Sequence, residues 1–477
     1  MGNELIICVC AADVKLNHLF APPRICFKVI ITEVTATGKY FGTDGFRGEA
    51  GVTITAEHAY KVGRILGYLY GRKKGRCRMV IGKDTRLSSY MLEYSLAAGL
   101  TASGADAYIL HVTTTPSVSF ITRCDGFDCG IMISASHNPY FDNGIKIMNG
   151  QGEKLEDEVI RVIEEYLDND AALPFASGAD IGRTIDYVSG RNRYIGHLIA
   201  LSTCSYKGLR VGLDAANGSA FMIARSVFDA LGAKTFVIGD CPNGMNVNDG
   251  LGSTHIEKLV ELVKNNSLDI GFAFDGDADR CICVDERGEV VTGDEQLFVL
   301  ASWLKDKGEL AGDKIVCTTM SNGGLIKSLS KKGISCSVCE VGDKNVCDEM
   351  TKTGAVLGGE RSGHVVFSKY ETTGDGLVTA IMMMEALVEN KCSASALLKG
   401  YTSYPQILLN VSVKDKNSVM RKVKKFVEKF TVDTGLRIVV RASGTEPLIR
   451  IMAEGESYEN CVAACGEIRA HIENFGG

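Results

Sequence analysis

From residue 40 onward the hydrophobic positions follow two alternating rhythms. Short, nearly continuous apolar runs occur at residues 78–81, 106–112, 209–213, 234–238, 269–274 and 314–318, the pattern of strands buried on both faces. Between them, residues 89–103, 221–231, 256–263 and 325–332 carry helical patterning. The alternation predicts α/β layers with largely parallel strands, because a helix is the usual crossover between parallel neighbours. The polar stretch 168–180 and the segment 401–405 read as boundaries. Beyond Pro405 the pattern changes. Residues 407–413 alternate like a half-buried strand, and Val419, Val423, Phe426, Val427 and Phe430 then share one helical face, with Lys and Arg opposite. This helix is expected to pack on its own sheet in a small α+β domain; a basic membrane- or calmodulin-type helix is the alternative. No sequence repeat or low-complexity tract is visible. Residues 1–37 stand apart. Their apolar stretch at 5–12 follows Glu4 rather than the basic start of a signal peptide, and Ile6 stands where a myristoylation signal wants Ser or Thr.

Length adds a domain count: 477 residues suggest three or four domains at about 150 residues each. With 45% apolar and 23% charged residues, the composition is that of a globular protein. The balance of 52 Lys and Arg against 58 Asp and Glu gives a net charge of -6, which lacks the basic field that nucleic-acid binding requires. A small anionic substrate stays open, since a few arginines hold one phosphate. No apolar run reaches the ~18 residues of a membrane span. The 17 cysteines are scattered and odd in number, in a chain large enough to bury a core without disulfides. Cys336 and Cys339 form one C-x-x-C without a second pair, and Cys281 and Cys283 read as buried strand residues. The expected compartment is a reducing cytoplasm.

Five segments carry chemistry. Asp275-Gly276-Asp277-Ala278-Asp279-Arg280 sits between two apolar strand-like runs. Three alternating carboxylates there converge on one hard cation, for which Mg²⁺ with phosphate is the natural choice. An EF-hand is excluded by Arg280 at the position of its glycine and by the strand flanks; a solvated acidic turn is the plain alternative. Ile133-Ser134-Ala135-Ser136-His137-Asn138-Pro139, followed by Asp142-Asn143-Gly144-Ile145-Lys146, is a turn-rich loop that displays a serine at a sheet edge. Taken alone, Ser136 is an ordinary turn serine, without the G-x-S-x-G elbow of a hydrolase. Arg441-Ala442-Ser443-Gly444-Thr445-Glu446-Pro447, with Arg450 beyond, combines an anion nest with two guanidinium forks suited to phosphate. Gly358-Gly359-Glu360-Arg361-Ser362-Gly363-His364 offers groups that read sugar hydroxyls, and Gly42-Thr43-Asp44-Gly45-Phe46-Arg47-Gly48 is glycine-rich but no nucleotide P-loop. Together they are the parts of a phosphoryl-transfer site whose donor is not ATP.

In order and spacing these segments resemble the α-D-phosphohexomutase family, and most of all its branch acting on glucosamine phosphate. The resemblance runs from about Gly38 to the C-terminus. It implies three mixed α/β domains around a central cleft and a smaller C-terminal α+β domain: a phosphoserine domain at 38–185, a metal-binding domain at 186–292, a sugar-binding domain at 293–404 and a phosphate-binding domain at 405–477. Residues 1–37 are then an N-terminal extension without counterpart, expected to reflect a start assigned too far upstream. The resemblance implies that Ser136 is the phosphoserine and that Asp275, Asp277 and Asp279 bind Mg²⁺ together with it. It further assigns Glu360, Ser362 and His364 to the sugar, and Arg441, Ser443, Gly444, Thr445 and Arg450 to the distal phosphate. Arg47, Lys146 and Arg280 fall near the transferring phosphoryl group, with Lys146 the general acid or base and His364 the alternate. The implied reaction interconverts glucosamine 6-phosphate and glucosamine 1-phosphate through a 1,6-bisphosphate, with glucosamine or glucose 1,6-bisphosphate as primer, and feeds UDP-N-acetylglucosamine synthesis. A phosphoglucomutase or phosphomannomutase of the same family, or a silent sugar-phosphate binder, are the alternatives. A homodimer that binds neither nucleic acid nor membrane is expected. Arg361 and Ala442 depart from the branch, which usually has Gln and Pro there.

Overall fold

The computed structural model of the chain describes residues 38–42, 44–71, 76–169, 172–443 and 448–476. The expected extension at 1–37 lies outside the described residues, as do Gly444 and Thr445. The apolar runs are strands, and four sheets of seven, five, four and three strands form. Three of them repeat one unit. In the first, Arg78–Lys83, Asp106–Val112 and Cys129–Ile133 run parallel, joined by the helices Leu87–Ala102 and Thr115–Cys124, and Asp142–Asn149 then turns back antiparallel beside Cys129–Ile133. The second repeats this with Arg210–Asp214, Lys234–Ile238 and Ile270–Phe274, closed by antiparallel Cys281–Asp285. The third uses Lys314–Thr318, Ser335–Cys339 and Leu357–Gly359, closed by Val365–Phe367.

The expectation of largely parallel strands is therefore corrected. The centre of each α/β sheet is parallel, but its last strand is reached by a short loop rather than a helix, and a short loop can only join antiparallel neighbours. The first sheet extends this edge with Gly45–Glu49 and Phe41–Gly42, and beyond the polar stretch 168–180 the chain returns to add Thr184–Asp186 at the other edge.

Packing explains the layers. Cys129–Ile133 and Ile270–Phe274 are buried along their whole length, as central strands covered on both faces must be. Helices Ala56–Gly71 and Leu87–Ala102 cross backbone to backbone. A Cβ on Gly63 would lie 2.3 Å from the Leu96 carbonyl oxygen, and one on Gly99 2.1 Å from that of Tyr60. The second and third units share one continuous apolar core reaching from Tyr194 to Ala394. The C-terminal sheet, antiparallel in the order Gln406–Ser412, Leu448–Glu454, Arg437–Ala442, has a core of its own. There Val419 and Val423 of helix Lys416–Thr434 are buried against it, with Phe426, Val427 and Phe430 packed alongside. The basic helix thus covers its own sheet. No described helix is long and apolar enough to cross a membrane.

Candidate functional site

The loop that precedes the antiparallel strand recurs in all three α/β units, and each copy carries one chemical segment. Residues 134–141 hold Ser136, residues 275–280 the aspartates, and residues 360–364 the Glu360 loop. Ser136 is buried and has a φ of 53°, a left-handed conformation that a serine adopts only when its surroundings enforce it. The surroundings do so. Its N–H donates to Ser134 Oγ at 2.9 Å, and its carbonyl accepts from Arg86 Nη2 at 3.0 Å and Asn248 Nδ2 at 2.8 Å. Gly276 packs so closely that a Cβ would sit 2.5 Å from the same carbonyl oxygen. Ser134, the neighbouring hydroxyl, is committed elsewhere: it donates to Asp84 at 2.7 Å, and Asp84 also pairs with Arg86. Ser134 shapes the loop, and Ser136 faces the acids.

Ser136 Oγ donates to Asp275 Oδ2 at 2.5 Å, and ligand atoms of Asp275, Asp277 and Asp279 all lie within 4.8 Å of one another in a fully buried group. Burial and the neighbouring Asp279 and Asp277 push the Asp275 carboxyl well up. Lys146 Nζ reaches Asp277 Oδ2 at 2.7 Å, Asp279 Oδ2 at 3.0 Å and Asp44 Oδ2 at 3.3 Å. Burial alone would lower its ammonium, but these three carboxylates override it and hold Lys146 well above its ordinary value. A lysine so paired stays charged, which suits a proton donor or counter-charge better than a base. Oδ1 of Asp277 and Oδ1 of Asp279 are buried without a hydrogen-bond partner. Two unpartnered anionic oxygens in a dry site are what a hard divalent cation satisfies, so the residues fit one.

Charged groups surround this centre. Arg47 pairs with Asp44, and Arg280 donates its backbone N–H to Asp275 Oδ1 at 3.2 Å. His364 is buried, accepts from the Gly374 N–H on Nε2 at 3.2 Å, and so turns Nδ1 toward Asp279 Oδ1, 4.0 Å away. His137, whose Nδ1 lies 3.4 Å from Ser136 Oγ, is neutral at pH 7: burial, then Arg280 and Arg47, push it down to about 4. Ser136, Asp275, Asp277, Asp279, Lys146, Arg47, Arg280 and His364 are thus brought together. Glu360 stands one step out, with Oε1 accepting from the Gly342 N–H at 3.0 Å, and Ser362 is exposed. Arg441 and Arg450 sit elsewhere, opposite each other on the C-terminal sheet beside a groove lined by Leu408, Asn410 and Val439; Ser443 follows, buried. Arg361 reaches from the Glu360 loop to the Gln406 side chain.

Sequence reasoning missed several residues here. Asp44 ties Lys146, Arg47 and Lys154 together, and Lys154 also reaches Asp343 at 2.5 Å in the third unit. Thr115 donates to Asp277, and Asn248 and Arg86 clamp the serine loop. Asp44 lies inside the glycine-rich segment 42–48, of which only Arg47 drew a role, and Thr113-Thr114-Thr115-Pro116 left a signal, a polar cap at a strand end before proline; Lys154, Asn248 and Arg86 are single residues without a pattern.

Comparison with known proteins agrees with this geometry. Family profiles described as phosphoglucomutase/phosphomannomutase alpha/beta/alpha domains I, II and III match residues 38–173, 192–288 and 292–404, and the C-terminal domain profile matches 408–470. The chain is 56% identical over 446 residues to the phosphoglucosamine mutase of Lachnospira eligens, covering 92% of this chain and 99% of the relative. Against the phosphoglucosamine mutase of Bacillus subtilis it is 46% identical over 430 residues, covering 89% and 96%. A phosphoglucomutase/phosphomannomutase family protein from Burkholderia thailandensis superimposes with a TM-score of 0.75 at 25% identity, over 91% of this chain and 97% of that one.

Proposed function

The chain belongs to the phosphoglucomutase/phosphomannomutase family, among its phosphoglucosamine mutases, and from that premise we propose a reaction path for the buried site. It interconverts glucosamine 6-phosphate and glucosamine 1-phosphate. Phosphorylated Ser136 gives its phosphoryl group to the free sugar hydroxyl, leaving a 1,6-bisphosphate and a free serine. The bisphosphate turns over, and its other phosphate returns to Ser136. The observation that carries this reading is the placement of Ser136 Oγ at 2.5 Å from Asp275 with Lys146 paired to Asp277 and Asp279 of the same cluster, in a chain without a nucleotide-binding motif. Such a serine stores a phosphoryl group between turnovers.

Asp275, Asp277 and Asp279 would hold Mg²⁺ beside the serine phosphate, and the ion would supply charge neutralisation there. The chain's own side chains do the rest. Lys146, Arg47 and Arg280 surround the transferring group with positive charge, and Lys146 donates a proton to the leaving oxygen or stabilises it as a counter-charge, with His364 its alternate. Glu360, Ser362 and His364 orient the sugar, while Arg441, Ser443, Gly444, Thr445 and Arg450 hold the distal phosphate. Glucosamine or glucose 1,6-bisphosphate primes the serine. The enzyme works in the cytoplasm as a homodimer and serves amino-sugar metabolism, upstream of the cell-wall precursor.

The test is a panel of hexose and hexosamine phosphates assayed with glucose 1,6-bisphosphate present. The expected result is a kcat/KM for glucosamine phosphate at least tenfold above those for glucose and mannose phosphates, on the order of 1.4 kcal/mol of discrimination. A ratio favouring the neutral hexoses would move the protein to the phosphoglucomutase/phosphomannomutase reading.

A further inference from the structure

Lys154 lies outside every segment that the sequence singles out, yet its ammonium joins two parts of the site. Its backbone is pinned beside the strand that carries Lys146: Met148 and Lys154 form an antiparallel bridge, and the Leu155 N–H donates to the Ile147 carbonyl at 3.2 Å. From there Lys154 Nζ reaches Asp44 Oδ1 at 3.2 Å and, in the third unit, Asp343 Oδ1 at 2.5 Å. Each carboxylate leads inward. Asp44 pairs through Oδ2 with Arg47 and with Lys146 at 3.3 Å, and Lys146 in turn holds Asp277 and Asp279. Three cations on one carboxylate override its burial and keep Asp44 well below the usual carboxylate range, so it stays charged. Asp343 opens helix Asp343–Thr353 directly after Gly342, whose N–H donates to Glu360 Oε1 at 3.0 Å. Gly342 has a φ of 127°, which glycine adopts without strain, and this turn fixes the place of Asp343 and the aim of that N–H together. One ammonium therefore lies on a continuous path from Glu360 to the groups around the transferring phosphoryl.

We propose that Lys154 is a positioning residue that clamps the sugar-reading loop onto the phosphoryl-transfer centre, and so keeps the 1,6-bisphosphate in the site while it turns over; the proposal rests on the reaction path above. That path creates the demand. The bisphosphate must give up its first contacts before its other phosphate can face Ser136, and no covalent bond holds it during that step. Retention then depends on how firmly the first and third units stay together. They meet here through polar groups: Ser119 Oγ lies 3.0 Å from Thr372 Oγ1, Thr372 donates to the Gly152 carbonyl at 3.0 Å, and Arg123 donates to the Tyr370 carbonyl at 2.9 Å. Lys344 and Asp157 pair at 2.7 Å beside them, but their side chains are 41% and 65% exposed, and such surface pairs contribute little. Lys154 and Asp343 are 30% and 15% exposed. Moreover, Lys154 is shared by two carboxylates, and without its charge Asp44 and Asp343 repel each other across the joint.

The partition of a labelled phosphate tests this on the full chain with Mg²⁺ present. Enzyme carrying radiolabelled phosphate on Ser136 is mixed with unlabelled glucosamine 6-phosphate. The label passes to the sugar 1-hydroxyl, the unlabelled 6-phosphate returns to Ser136, and the label leaves as glucosamine 1-phosphate; label found in free 1,6-bisphosphate measures escape. Lys154→Met should raise the escaping fraction at least ~5-fold, and raise about tenfold the glucose 1,6-bisphosphate needed for half-maximal rate, with its main thermal transition unchanged. Lys154→Arg keeps the charge and should partition label as the wild type does. Asp343→Asn should leak as Lys154→Met does, and the double variant should leak no more than the worse single one, because both act on one path. Wild-type partition in Lys154→Met, equal escape from Lys154→Arg, or additive escape in the double variant would overturn the clamp and leave the reaction path standing. A lowered thermal transition with unchanged partition would also overturn it, making Lys154 a support of the fold. A wild type that transfers no label to the sugar would overturn the reaction path and the clamp with it.

Discussion

A serine held in a left-handed backbone conformation costs of order 1–3 kcal/mol, and here Arg86, Asn248, Ser134 and the close approach of Gly276 maintain it. The geometry turns one hydroxyl, that of Ser136, to the aspartates and ties its neighbour Ser134 to Asp84. Mass spectrometry of the purified protein should therefore find phosphate on Ser136 and none on Ser134. Ser136→Ala should fold, bind hexosamine phosphate and lose at least ~10³-fold in kcat even with added bisphosphate, as expected for a missing nucleophile; normal turnover would contradict the path at its central residue. The aspartates support a second expectation. Their two unpartnered oxygens demand a cation, so excess chelator should abolish turnover, and Asp277→Asn should weaken Mg²⁺ binding by calorimetry at least ~10-fold. Unchanged activity in chelator would remove the metal from the site. These residues were legible in the sequence because they sit in dense motifs. Lys154, Asn248 and the role of Asp44 were not, because they act through long-range contacts that no local spacing encodes.

Among the elements, helix Gly376–Asn390 shows how burial and capping meet. Asp375 caps its N-terminus, accepting from the N–H groups of Leu377 and Val378, while Tyr194 Oη donates to its second oxygen at 2.6 Å. Burial, aided by Glu371 nearby, pushes the Asp375 carboxyl up to about 7, against ~3.9 in an unfolded chain. Between those values the folded protein holds a proton that the unfolded chain has released, so the stability from this group is complete below about pH 4 and falls as the pH rises toward 7. Asp375→Asn keeps the capping oxygen and removes the titration. Its melting temperature should therefore decline less than the wild type's between pH 5 and 8, by a few degrees, since ~1 kcal/mol shifts Tm by roughly 2–4 °C in a cooperative unit of about 150–250 residues, the size class of the shared core from Tyr194 to Ala394. Parallel scans of the two proteins by calorimetry check this; identical slopes would place the wild-type pH dependence elsewhere. The elements themselves were readable from periodicity, because buried strands and amphipathic helices write their burial into sequence. The antiparallel edges were not. Val365–Phe367 has only three residues, too short for a period, and the recurrence of one unit three times left no trace because its three loops carry different chemistry.

At the scale of the whole molecule, the site depends on how its parts are joined, and the joints differ in kind. The second and third units share an apolar core, so their loops are fixed relative to each other as firmly as side chains within one domain. The C-terminal sheet is attached by polar contacts. Arg437 donates to the carbonyls of Thr319 and Ser321 and pairs with Glu454 at 3.1 Å, Glu454 accepts from the Gly323 N–H at 2.8 Å, and Gln406 donates to the Met320 carbonyl at 3.3 Å. All of these meet the loop after Lys314–Thr318, on the side of the third unit that faces the C-terminal sheet. Arg441 and Arg450 ride on the same sheet as Arg437, so their position over the rest of the site is set by this polar joint and not by a core. Removing the guanidinium leaves the apolar side chains of the C-terminal core in place; the buried Glu454 carboxylate then keeps the Gly323 N–H at 2.8 Å and Gln406 Nε2 at 3.2 Å as donors. Arg437→Ala is accordingly expected to raise KM for hexosamine phosphate about tenfold, ~1.4 kcal/mol of lost binding, with a smaller change in kcat and little change in the main thermal transition. Steady-state kinetics alongside calorimetry separate the outcomes: an unchanged KM with a lowered main transition would mean that the joint supports the core instead of placing Arg441 and Arg450.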